Sequence, residues 1–137
     1  MIETHKEFRA CQSMGRTVRG RALVAHDNFS ARYDLDRSAG IFSRPTHKLA
    51  GQSYVGKILI LHTAKGGVAS AWMLHEMAER GVTPLALVFN AVNPILAQGA
   101  ALADLPILAG FDADITAAIP DGSEVEVNPA RRLLRLI

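Results

Sequence analysis

The chain has 137 residues, with 15 Lys and Arg against 13 Asp and Glu, 49% hydrophobic residues and a single cysteine. That length and apolar content support one ordinary domain with its own core and exclude intrinsic disorder. One cysteine, Cys11, excludes an internal disulfide and cannot by itself hold zinc or an iron–sulfur cluster, which take three or four protein ligands.

The N-terminal residues 1–14 are polar, lack the apolar core of a signal peptide, and read as a loosely held leader ahead of one domain over 15–137. Residues 14–25 alternate weakly and predict a strand with Val18, Ala22 and Val24 on one side. Arg16, Arg19 and Arg21 would then share the opposite side, a pattern that fits an anion or partner surface or a plain solvated strand face. Residues 1–57 carry a net charge of +5 and residues 58–137 a net charge of −3. With 6% aromatic residues and no basic helix, nucleic acid is not an expected partner. Residues 27–53 show no helical period and read as loops with short strands and a hairpin near 33–42. Asp34 and Asp36 in this stretch are candidates for acid–base work or for turn chemistry.

The second half is more regular. Residues 57–62 form a continuous apolar run, as in a strand buried on both faces. The loop Thr63, Ala64, Lys65, Gly66, Gly67 follows, and then a predicted helix over 68–80 with Ser70, Met73, Leu74, Met77 and Ala78 on one face. Gly81 suits a left-handed helix cap. A second apolar run covers 85–89. Asn93 and Pro94 then give an N-cap and a first-turn proline to a helix over 95–104, and 106–109 is a third strand. Strand, helix, strand, helix, strand with short connections implies a parallel sheet with right-handed crossovers. Asp121 and Gly122 mark a turn, and 123–127 alternates as an exposed edge strand. The fold class is therefore α/β, with a short parallel unit joined to a more antiparallel β section. The longest nearly uncharged stretch, 82–102, is broken by prolines, a glycine and amides, so no membrane span is expected, and the cytoplasm is the default compartment.

The loop at 63–68 is where chemistry is expected. Ligands of open α/β sheets collect beyond the carboxyl ends of the strands, where helix N–H groups are unpaired and glycines admit an anion to the backbone. Lys65 adds a full charge. The loop matches neither a Walker A nor a GxGxxG pattern, and a plain chain reversal is the alternative. His62 ends the buried strand beside this loop, and His47 and His26 lie in polar surroundings. None of the histidines has metal-ligand spacing, and each also fits a structural role. Trp72 falls opposite Leu74 and Met77 among His75, Glu76 and Glu79, which marks a partner contact or a ring folded onto a neighbouring loop.

In order along the chain, Gly20 to Val24, Asp34, Gly40-Ile41, His47 to Ser53, Gly56 to Ile60, the glycine loop, Gly81 with Pro84 and Ala86, Pro94-Ile95, Gly99-Ala100, Leu105-Pro106 and Asp121 to Val125 resemble the aconitase X swivel domain, or small subunit. This group includes cis-3-hydroxy-L-proline dehydratase and phosphomevalonate dehydratase, and the match covers roughly residues 20–128. The resemblance implies a swivelling β/β/α domain. It implies a hydro-lyase (a lyase that removes water), active only with a larger partner subunit that carries an iron–sulfur cluster. It also implies a small carboxylate- or phosphate-bearing hydroxy substrate closed over by this chain. On that basis Lys65, Gly66, Gly67, Val68, His62, His47 and Ser70 are the expected substrate-binding residues, and Trp72 the partner contact. The family's active-site serine falls at Gly67, so no catalytic residue of this chain is assigned. The alternative is a non-catalytic swivel module that binds an anionic metabolite or a protein; a homo-oligomer when isolated is a third reading.

Overall fold

The computed structural model describes residues 6–30, 34–64, 68–92 and 94–137. In chain order the elements are β1 (Lys6–Met14), β2 (Val18–Val24), β3 (Asn28–Phe29), β4 (Leu35–Asp36), β5 (Ile41–Phe42), β6 (Ile58–Ala64), α1 (Val68–Arg80), β7 (Ala86–Ala91), α2 (Pro94–Leu102), β8 (Ile107–Phe111), α3 (Ile115–Ala118), β9 (Glu124–Asn128), a 3-10 turn (Pro129–Arg131) and β10 (Leu133–Leu136).

Two strands change partners halfway along, and this closes the sheet. Residues 6–9 of β1 pair antiparallel with β10, and residues 10–14 pair antiparallel with β8. Residues 18–21 of β2 pair antiparallel with β9, and residues 22–24 pair parallel with β6. The strand order is β2-β9-β10-β1-β8-β7-β6-β3, and the additional β2–β6 pairing closes the sheet between β2 and β6, with β3 added on the outer side of β6. The β6–β7 and β7–β8 pairs are parallel, as short helical crossovers require.

The period-2 geometry of a strand then divides the core. Ile58, Ile60, Ala86, Val88 and Leu108 point into the closed sheet, where they meet Val125, Val127 and Leu134 from the antiparallel section. Leu59, Leu61, Leu87 and Phe89 point the other way, onto Leu74 and Met77 of α1 and Ala100 of α2. All four of these sheet residues are fully buried, and each such side chain contributes about 1.5–3 kcal/mol by leaving water. The result is the β/β/α layering expected from the sequence, and the central strands are buried on both faces as their continuous apolar runs demand.

The helix expected over 68–80 is α1. Gly81 closes it at φ +71°, with its N–H and that of Val82 turned back to the carbonyls of Ala78 and Met77. The hairpin expected near 33–42 is the β4–β5 pair. Three expectations are corrected. Lys6–Met14, expected within a leader, is a nine-residue strand between β10 and β8, with Phe8 and Ala10 packed into the interior cluster. The strand expected at 123–127 as an exposed edge lies between β2 and β10, and Val125 and Val127 are fully buried. Arg16 precedes β2 and pairs with Asp104 at 2.9 Å, so only Arg19 and Arg21 share a strand. They stand in register with Glu126 and Glu124 of β9 and pair with them, Arg19 at 3.0 Å and Arg21 at 3.9 Å. That face is a cross-strand ion ladder rather than an open anion surface.

Candidate functional site

The parallel strands end together on one side of the molecule, and there the sequence turns polar. β2 is followed by His26, Asp27 and Asn28; β6 runs out through His62 and Thr63; β7 ends at Asn90; and Asp114 caps α3 just beyond β8. Loop residues Lys65, Gly66 and Gly67, expected to bind an anion, lie outside the described residues. Val68 and Ser70 stand in the first turn of α1, directly after that loop.

Two hydrogen-bonded groups occupy this edge. In the first, the Asn90 amide bridges β7 to α3. Its Oδ1 accepts from the Ile115 N–H at 2.7 Å, while its Nδ2 reaches Asp114 Oδ1 at 2.8 Å and His62 Nδ1 at 3.0 Å. The Thr116 hydroxyl donates to Asp114 Oδ1 at 2.6 Å, and the Thr116 N–H donates to the same oxygen at 3.0 Å. His26 Nδ1 lies 2.9 Å from Thr116 Oγ1 and 3.2 Å from Asp114 Oδ2, and its ring stacks on His62 with centroids 4.7 Å apart. The donors from Thr116, then that from Asn90, hold the Asp114 carboxyl down at about 2, well below the usual carboxylate range.

The second group sits beneath the 27–53 excursion. His47 is buried, donates from Nε2 to the Asn28 carbonyl at 2.8 Å, and accepts the Leu49 N–H at Nδ1 at 3.0 Å. Its ring also stacks on Phe42. Asp34 is buried, pairs with Arg44, and accepts the Ser30 N–H at 2.9 Å. Burial pushes Asp27 up, but the N–H groups of Lys48 and Asn28, aided by His47 and Arg44, outweigh it and leave its carboxyl lowered. Asp36 accepts from the Ser38 and Ala39 N–H groups and shapes the β4–β5 turn. These carboxylates and His47 therefore build the scaffold of the excursion. Thr63 joins the two groups by donating to Asn28 Oδ1 at 2.7 Å.

Of the residues singled out from the sequence, the structure places His62 in the polar edge and moves His47 beneath it, with both ring nitrogens engaged. Trp72 is 65% exposed on α1, with only the His75 ring set against it at 6.1 Å among the aromatic contacts of the described residues. Asn90, Asp114 and Thr116 were not singled out. Asp114 carried a readable cue, an aspartate immediately before a short apolar stretch with a hydroxyl two residues on.

His26, His62 and Asp114 offer ligand atoms within 4.8 Å of one another, a set that suits a divalent transition metal in residue type. An ion there would have to displace the Asn90 amide from His62 or part His26 from Asp114, because those lone pairs and protons already face one another. Cys11 is free and exposed on β1, and it lines a groove of about 440 Å³ with Met14, Val92, Gln98 and Arg132 that shares no residue with the polar edge. No described helix is long and apolar enough to cross a membrane.

A partly antiparallel sheet closed on itself, two helices over its parallel half and a polar rim at the ends of the parallel strands define a swivelling β/β/α domain. The aconitase X swivel domain matches residues 7–136, and the chain belongs to that family. It is similar to the phosphomevalonate dehydratase small subunit of Archaeoglobus fulgidus, 30% identical over 93% of this chain and 97% of that one. The protein of the same name from Methanosarcina acetivorans is 28% identical over 90% of this chain and 89% of its own. Among solved structures, the fold superposes on Thermococcus kodakaraensis aconitase X in its holo-form with a TM-score of 0.88, at 22% identity over 96% of this chain and 98% of that one.

Proposed function

We propose that this chain is the small, swivel subunit of an aconitase X-type hydro-lyase, closing over a hydroxy substrate that carries a carboxylate or phosphate. The observation that carries this reading is the nearly end-to-end similarity to proteins named phosphomevalonate dehydratase small subunit. The polar rim supports it, because it lies at the carboxyl ends of parallel strands, where α/β sheets hold ligands. In this reading Lys65 supplies charge, the N–H groups of Gly67 and Val68 cradle the anion, and Gly66 lets it approach the backbone. His62 and Ser70 flank that cradle, and His47 supports it from below through Asn28. The exposed indole of Trp72 packs against the larger subunit.

The iron–sulfur cluster belongs to that partner, since this chain has one cysteine and it stands apart from the rim. The cluster's contribution is Lewis-acid help to the departing hydroxyl. Coexpression with the large subunit is the test. The expected result is a co-purifying complex that contains iron and dehydrates phosphomevalonate or a related small hydroxy acid, with Lys65→Ala and Gly67→Trp each lowering turnover. A second reading, a non-catalytic module for an anionic metabolite, is favoured by the absence of a hydroxyl at Gly67. It predicts saturable binding of a small acid by this chain alone and no iron-bearing partner.

A further inference from the structure

The hydrogen bonds at the rim fix where two imidazole protons sit. The Ile115 N–H can be satisfied only by Asn90 Oδ1, so the Asn90 nitrogen faces His62 and Asp114. His62 therefore accepts at Nδ1, and its neutral form carries the proton on Nε2. Thr116 spends its hydroxyl hydrogen on Asp114, so its oxygen is an acceptor for His26. Asp114 Oδ2 lies 3.2 Å from the same His26 nitrogen. Neutral His26 therefore carries its proton on Nδ1, and its lone pair is at Nε2, for which the described residues supply no hydrogen bond. A carboxylate that holds an imidazole in one tautomer and steadies the imidazolium once formed is the arrangement of a general base.

We propose that His26 is the proton-transfer group this chain brings to its site, with Asp114 as the residue that positions it. The inference rests on the reading of the chain as a hydro-lyase subunit. It gives the chain a proton acceptor that Gly67, which has no side chain, does not supply. His26 stacks on His62, and Lys65 follows His62 by three residues in sequence. In the dehydration, the Nε2 lone pair takes the proton from the carbon, and the C–H electron pair becomes the new C=C π bond. The C–O bond breaks, and hydroxide leaves as water by taking that proton back from the imidazolium.

The test has two arms. On the full chain alone at pH 8, long-range proton–nitrogen NMR should find His26 protonated at Nδ1, and Asp114→Asn should move the proton to Nε2 in most molecules. In the complex with the large subunit, with phosphomevalonate as probe, His26→Ala should lower kcat at least ~100-fold with KM within about threefold. Free imidazole should restore part of the rate, which a merely structural role would not allow. An Nε2–H tautomer in the wild-type chain overturns the proposal, as does His26→Ala at full kcat. Tight one-to-one zinc binding lost in His26→Ala would also overturn it and assign the trio to metal ligation instead. A wild-type complex that assembles and dehydrates nothing overturns the functional reading and this role with it. The tautomer measurement, made without the partner, tells the two failures apart.

Discussion

His47 donates to the backbone carbonyl of Asn28 at 2.8 Å from a fully buried ring, and this bond ties the long 27–53 excursion to the strand beside the rim. The second ring nitrogen accepts the Leu49 N–H, so replacing the ring strands two backbone groups in a buried setting. His47→Leu is expected to lower stability by about 2–4 kcal/mol, read as a shifted urea midpoint at unchanged slope. The folded fraction should still bind its partner with wild-type affinity. A variant as stable as wild type but defective in substrate binding would return His47 to the site itself.

Asp114 gives stability a dependence on acid. Its folded-state pKa of about 2 lies below the ordinary aspartate value of 3.8, so its contribution is fully present above about pH 4 and lost as the pH falls toward 2. Its side chain is 41% exposed, which screens the charge, so the cap itself sets the scale. Asp114→Ala should cost about 1 kcal/mol at pH 6, or a few degrees in Tm. That deficit should shrink when both proteins are melted near pH 2.5. A deficit that stays constant across this range would assign the effect to packing rather than to the ionised carboxylate.

Gly15 turns the chain between β1 and β2 at φ +105°, and a Cβ built there would stand 2.7 Å from the backbone Cα of Pro106. Both the conformation and the contact exclude a side chain. Gly15→Ala is expected to destabilise by about 2–3 kcal/mol, measured by denaturant unfolding. A neutral result would mean that the β1–β2 turn relaxes without disturbing β8.

The parallel half of the fold was legible because each element announces itself locally. Apolar runs at 57–62 and 85–89, the 3.6-residue period of α1 and the Gly81 stop are all properties of neighbours in sequence. The closure was not legible. β1 is polar on its outward side, through Glu7, Arg9 and Cys11, and it earns its place by pairing with β8 and β10, both about a hundred residues or more along the chain. The β9 segment alternates as an edge would, yet Arg19 and Glu126 carry that pattern across a paired interface. The same reason hid half of the rim. His62 is visible as the end of an apolar run, whereas Asn90, Asp114 and His26 become a site only when three strand ends converge.

Trp72 tests the partner surface without touching the core. It sits on the side of α1 away from Leu74 and Met77, and its indole is 65% exposed, while those two residues are fully buried. An indole left in water adds little to folding, so Trp72→Ala should change unfolding free energy by less than about 0.5 kcal/mol. Buried in the centre of an interface, the same ring can be worth about 2 kcal/mol or more. The variant should therefore bind the large subunit at least tenfold more weakly by titration calorimetry. Turnover per assembled complex should stay at the wild-type level. Undiminished association would move the interface to another face. A large loss of folding stability would show instead that the indole rests against the chain's own neighbouring segments.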